Sequence, residues 1–173
     1  MGATSGILNF QNTTLVEPFE QLKSYCLSET SKLTQHVDDA GLKSDWNDVE
    51  ACVAHLVIAS TFYGSKYVRN DKDYQAVVGF ICATFMEMAK TTSGNTLGEN
   101  ELIELFNLYD TRQKEYRETI LTDLRTYNGA DFPELSNRLS SVLLQSAVNV
   151  SKVAPIINNH LKAFVPMVNS ATS

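Results

Sequence analysis

Histidine is scarce in this chain: 173 residues contain three, His36, His55 and His160. Metal and acid–base constellations can therefore be searched exhaustively. A di-iron bundle needs a glutamate three residues before a histidine, and those positions hold Leu33, Cys52 and Ile157. A helical ribonuclease built on Arg-x(4 to 6)-His fails as well, because no arginine precedes a histidine at that range. Glu101 and Glu104 supply the first half of a nucleotide-pyrophosphatase pattern, and nothing supplies the Glu-x-x-Asp half. Asp71-Lys72-Asp73 opens like a calcium loop, but Ala76 stands where the turn glycine belongs and Cys82 where the bidentate glutamate belongs. A glycine-rich phosphate loop and a Gly-x-Ser-x-Gly elbow are also missing. These absences point to a protein that is not an enzyme and carries no metal or cofactor.

Long apolar runs are missing too. The apolar charge-free stretches Ala51–Ser65, Ala76–Met86 and Val153–Leu161 fall short of the ~20 apolar residues that cross a bilayer. They read as core helices. The N-terminal residues have no basic region followed by an apolar one, as a secretory signal would, and Gly6 stands where myristoylation needs Ser or Thr. The three cysteines, Cys26, Cys52 and Cys82, are an odd number set in helical apolar patterns, which argues for a reducing, cytoplasmic setting rather than a disulfide framework.

Basic excess is absent as well. The net charge is −6, which argues against nucleic acid, whose binding rests on neutralised phosphates. Residues 1–50 carry eight acids against three bases and residues 91–134 nine against four, whereas residues 135–173 contain three bases and no acid. A basic or neutral protein partner suits this balance better.

What is present is helical periodicity over most of the 173 residues, enough for one core of ordinary size. The expectation is an all-α, single-domain bundle of about five helices over residues 14–168, preceded by an arm (1–13) and followed by a disordered tail (169–173). The first helix, from about Leu15 to Asp39, opens on Thr14 and Glu17 and stops at Gly41. The second begins near Ser44 or Asp45 and ends between Tyr63 and Tyr67. The third, Tyr74 to Lys90, is apolar on most sides and so is expected in the middle of the bundle. The fourth, capped by Thr96 and Glu99, runs to Tyr127, with Asn128-Gly129 ending it. Its nearly all-polar middle, Asp110 to Glu118, should project or lie exposed. Asp131 and Glu134 around Pro133 start a long fifth helix, charge-poor from Leu139 to Val168 and expected to kink at Pro155.

Two residue sets could carry chemistry. Asp48, Cys52 and His55 fall at i, i+4 and i+7 on one helical face, a spacing that could converge on a metal or pair a thiol with a base. Their context, Ala-Cys-Val-Ala-His-Leu-Val-Ile, favours a buried small hydrophobe and a histidine bonded to backbone. Phe62, Tyr63, Tyr67 and Tyr74 around Lys66, Arg69 and Lys72 could stack bases, although Asp71 and Asp73 weaken such a surface.

The fragment Leu105-Phe106-Asn107-Leu108-Tyr109-Asp110-Thr111-Arg112-Gln113 is similar to the aromatic-Asp-Thr-Arg-Asn stretch in coat proteins of rod-shaped plant viruses. Those proteins are acidic helical bundles that assemble. The likeness covers fewer than ten residues, and Lys114 and Glu115 follow where that family carries a second arginine.

The functional expectation is a non-catalytic helical module for protein–protein interaction (an inhibitor, immunity-type protein, chaperone or adaptor) that meets a basic partner through Glu101, Glu104, Asp110, Glu115 and Glu118. Two alternatives stand beside it. One is a self-assembling subunit, a homo-oligomer through residues 139–168; the other is a small-ligand carrier or an enzyme with a pocket that sequence does not reveal.

Overall fold

A computed structural model of the chain describes residues 13–67, 70–94 and 98–171; for residues 13–19, 63–67, 73, 74, 91–93, 170 and 171 only the backbone is described. Among these residues the architecture is all-helical, with α1 (Thr13–Asp39), α2 (Asp48–Tyr67), α3 (Asp71–Ser93), α4 (Glu99–Tyr127), α5 (Pro133–Leu143) and α6 (Val150–Ala171). Short 3-10 turns at Lys43–Asp45 and Ala147–Asn149 precede α2 and α6. The expected arm lies outside the described residues except for Thr13, the first residue of α1. Over the expected tail α6 continues to Ala171, and residues 172 and 173 lie outside the description.

Local signals set most of the boundaries. Gly41 takes φ +78° and ends α1 with paired bonds, Gly41 N–H to the Asp38 carbonyl and Leu42 N–H to the Val37 carbonyl. This left-handed stop satisfies the last carbonyls and suits a residue without Cβ. Asn128 does the same for α4 at φ 51°, its N–H reaching the Leu124 carbonyl at 3.0 Å. The start of α4 departs from expectation. Gly98 is the N-cap, and Glu101 reaches back to accept its backbone N–H at 3.1 Å. Thr96 lies outside the described residues.

The centre of the bundle is α2, not α3. Every residue from Ala51 to Ser60 is buried, and α2 packs against α1, α3, α4, α5 and α6. Its small residues, Ala51, Cys52, Ala54, Ala59 and Ser60, let neighbouring backbones approach from all sides. By contrast α3 leaves Gln75, Met86, Glu87 and Lys90 exposed, despite its larger apolar side chains.

The single long fifth helix is also corrected, since it is two helices, α5 and α6. The break falls at Leu144–Asn149, while Pro155 sits inside an uninterrupted α6, as does Pro166. The cause is not local. Asn47 N–H donates to the Leu143 carbonyl at 2.8 Å and Gln145 N–H to the Asp45 carbonyl at 3.0 Å, an isolated antiparallel bridge around Trp46 and Leu144. The chain leaves the helix there to pair with the α1–α2 connection, and Ser146 restarts it by accepting the Val148 N–H.

A third correction concerns the cap of α5. Asp131 does not cap it; the Asp131 carboxylate accepts from the Asn158 amide of α6. Instead the buried Asp123 of α4 accepts the Leu135 N–H at 2.8 Å and the Glu134 N–H at 3.3 Å. A negative charge on those first-turn donors is favourable both as hydrogen bonds and against the helix dipole. Asp123→Ala leaves these donors unsatisfied in the interior and is expected to cost about 2 kcal/mol, read as a lower urea midpoint. Asp123→Asn, which retains one acceptor oxygen, should lose less.

Candidate functional sites: the α3–α4 surface and the buried histidines

The face expected to carry chemistry on α2 divides into two parts. Asp48 lies at the surface, 3.2 Å from the Lys43 ammonium. Cys52 is fully buried, and burial pushes its thiol up to about 12. Burial thus disfavours the thiolate, the form in which a cysteine attacks or ligates. His55 is buried as well and turns toward α6. The three residues do not converge, and among the described residues no three His, Cys, Asp or Glu side chains group in a way that could hold a metal ion.

His55 has a partner that spacing could not reveal. Its Nδ1 lies 2.7 Å from the Ala51 carbonyl, and its Nε2 lies 2.8 Å from Nε2 of His160, 105 residues later. A carbonyl can only accept, so His55 carries its proton on Nδ1 and a neutral ring presents a bare Nε2. His160 must then donate from Nε2, which fixes both tautomers. Phe164 packs against both rings, edge-on to His55 and stacked on His160, and Tyr25 stacks on its other side. Burial pushes the basicity of both imidazoles below the ordinary 6.5. For His160, the neighbouring His55, His36 and Lys32 act in the same direction; for His55 the Ala51 bond and Glu29 oppose it only in part. The pair is a neutral, buried polar tie between α2 and α6.

The five acidic candidates on α4 also separate. At 3.6 residues per turn, Glu101, Glu104, Glu115 and Glu118 fall within about 100° of one another, and Asp110 lies on the opposite shoulder of the helix. Glu115 is engaged by Arg112 at 3.1 Å. Arg112 also binds Glu50 of α2 through Nε and Nη2, at 3.0 and 2.8 Å. Most of the polar middle of α4 lies exposed as expected, with Asp110, Thr111, Lys114, Arg117 and Glu118 at the surface, while one side of it docks through this half-buried fork beside the buried Tyr116. Glu50 is the signal that explains the polar stretch, and it lies 62 residues upstream. Glu101 is occupied in capping, and Asp110 pairs with Lys114 at 3.4 Å in solvent.

Asp110 also borders a hollow of about 120 Å³ between α3 and α4, walled by Val77, Val78, Ile81 and Phe106. Nearby on the same side of α4, Ile103 is 51% exposed. The aromatic set proposed for base stacking is not placed, because the side chains of Tyr63, Lys66, Tyr67, Arg69 and Tyr74 lie outside the described residues.

Comparison of the chain with models of protein families, with curated proteins and with solved structures finds no match. Within the short stretch similar to rod-shaped virus coat proteins, the arginine, Arg112, is held by two carboxylates of its own chain.

Two outcomes follow for stability. The folded histidine pair binds protons less readily than the unfolded chain, so its contribution is complete above pH 6.5 and is lost as pH falls below that value. The urea-derived stability should decline by up to about 1.4 kcal/mol per pH unit per histidine in that range. His160→Gln should flatten this slope relative to the parent between pH 7.5 and 5; an unchanged slope would refute the reading. Separately, Arg112→Met strands the buried Glu50 carboxylate and is expected to cost about 3 kcal/mol, with Glu50→Leu in the same chain recovering part of the loss.

Proposed function

We propose that the chain is a non-catalytic helical binding module that engages a basic protein partner through its α3–α4 face. The observation that carries this reading is the small hollow between α3 and α4, apolar on the side of Val77, Val78, Ile81 and Phe106 and polar on the side of Tyr109, Asp110 and Gln113. Its volume, about 120 Å³, is below the ~300 Å³ at which small-molecule sites begin, and it suits one inserted side chain of a partner. Toward its N-terminus, from Gly98 to Asp110, α4 carries Glu99, Glu101, Glu104 and Asp110 and no base. Glu99, Ile103 and Asp110 lie within about 40° of one another on the helix. An apolar anchor with a charged rim is the arrangement in which a few central contacts supply affinity while the rim steers the encounter. Of the five residues expected from sequence, Asp110 borders the hollow, whereas Glu101, Glu104, Glu115 and Glu118 fall on the other shoulder of α4, where Glu101 caps the helix and Glu115 pairs with Arg112.

The test uses a labelled amphipathic Lys/Leu helical peptide as the probe, followed by fluorescence anisotropy at low salt. Ile103→Asp, and separately Glu99→Lys with Asp110→Lys, should each weaken binding about tenfold, the scale of one interface contact. Charge reversal of Lys152 and Lys162 on α6 serves as the control and should not weaken it. Equal binding by all variants would eliminate this face.

A second reading, self-association through residues 139–168, draws on Val148, which is 80% exposed, and on Met167 near the end of that segment, which is 57% exposed. The lack of acids beyond Glu134 leaves that half complementary to the acidic α4. Light scattering over a range of protein concentration separates the two: a constant mass near 19.2 kDa opposes self-association, and a rising mass lowered by Val148→Asp favours it.

A further inference from the structure

A second concavity, sharing no residue with the α3–α4 hollow, lies between α1, α3 and the start of α2. Its volume is about 300 Å³, which reaches the size of small-molecule sites. The order of its lining follows the order of α1. Leu27, facing Met88 of α3, makes one end; Thr30 and Thr34 make the middle; Asp38 makes the other end, with Lys43 and Asp48 across from it. From Leu27 to Asp38 the helix rises about 16 Å. The cleft is therefore apolar at one end, hydroxyl-lined at its centre and charged at the other.

The charges select the head group. Lys43 is committed to Asp48 at 3.2 Å. The Asp38 carboxylate is exposed and has no side-chain partner among the described residues, so the end carries an excess of negative charge. Thr34 is committed in one direction only: its Oγ1 accepts the Trp46 indole N–H at 3.1 Å, which leaves its own O–H to donate. At the apolar end the Lys23–Glu87 ion pair, 3.2 Å, ties α1 to α3 one turn before Leu27, so the two walls are held together without a ligand.

We propose that this cleft binds a small amphiphilic primary amine, its ammonium on Asp38, its chain along Thr30 and Thr34, and its apolar end between Leu27 and Met88. Charge complementarity at one end and apolar cover at the other favour this occupant over a carboxylate amphiphile of the same length, which would meet Asp38 and Asp48.

The molecule contains its own reporter. Trp46 is the sole tryptophan, it is buried, and its indole N–H touches the cleft wall through Thr34. Titration of the full chain with n-octylamine, below its micellar concentration and with far-UV circular dichroism held constant, should give a saturable one-to-one shift of Trp46 emission. Octanoate should bind at least about tenfold more weakly, the cost of an opposed rather than a paired charge. Asp38→Asn should weaken octylamine up to about fivefold, as for an exposed ion pair. Ser31→Phe, a change at an exposed position of the wall, should fill the cleft and abolish the response. The proposal is overturned if octylamine gives no saturable shift, if octanoate binds as tightly, or if Ser31→Phe responds like the parent.

Discussion

The ten consecutive buried residues of α2, Ala51 to Ser60, impose the constraint on which the rest of the structure depends. A helix without a solvent face must be covered on every side, and no single neighbour can do that. Five helices therefore close around it, and their order is set by what each can offer to its small, apolar surface. Cys52, Val53, Leu56, Val57 and Ala59 are each 0% exposed. Close packing at that density leaves little tolerance for added or removed volume.

Apolar cover alone would allow many arrangements, because one greasy helix fits another in several registers. Polar ties remove that freedom. Ser60 hydrogen-bonds the Tyr109 hydroxyl at 2.6 Å, Glu50 forks with Arg112, and His55 meets His160. Two of these link α2 to α4 and one links it to α6. Buried ion pairs and polar contacts contribute modest net stability after desolvation, but a misplaced helix would leave each partner unsatisfied at a cost of several kcal/mol, on the order of 3 to 5 for a buried charge. Their effect is to specify one packing.

The same ties decide what remains for function. Chemistry-bearing groups in the interior are neutralised: Cys26 and Cys52 are held far from their thiolates by burial, and the two imidazoles satisfy each other. The surface keeps the opportunities. One is a hollow with an acidic rim between α3 and α4, and the other is a graded cleft between α1 and α3. Each lies where a helix that covers α2 meets α3, whose exposed side no further helix covers among the described residues.

Fold class, the ends of α1 and α4 and the start of α5 at Pro133 could be read from the sequence, because they rest on local physics: helical periodicity, left-handed stops at Gly41 and Asn128, and proline in a first turn. The central position of α2 was half visible in its charge-free run, but larger side chains on α3 drew the expectation there. What tertiary structure alone decided involves partners distant in the chain. The break at Leu144 depends on backbone from Asp45 to Asn47; the docking of Arg112 in the polar middle of α4 depends on Glu50; the cap of α5 comes from Asp123; and His55 answers to His160 rather than to Asp48 and Cys52. Spacing along one helix reports which residues share a face. It cannot report what that face meets, because the partner is chosen by the packing of the whole chain.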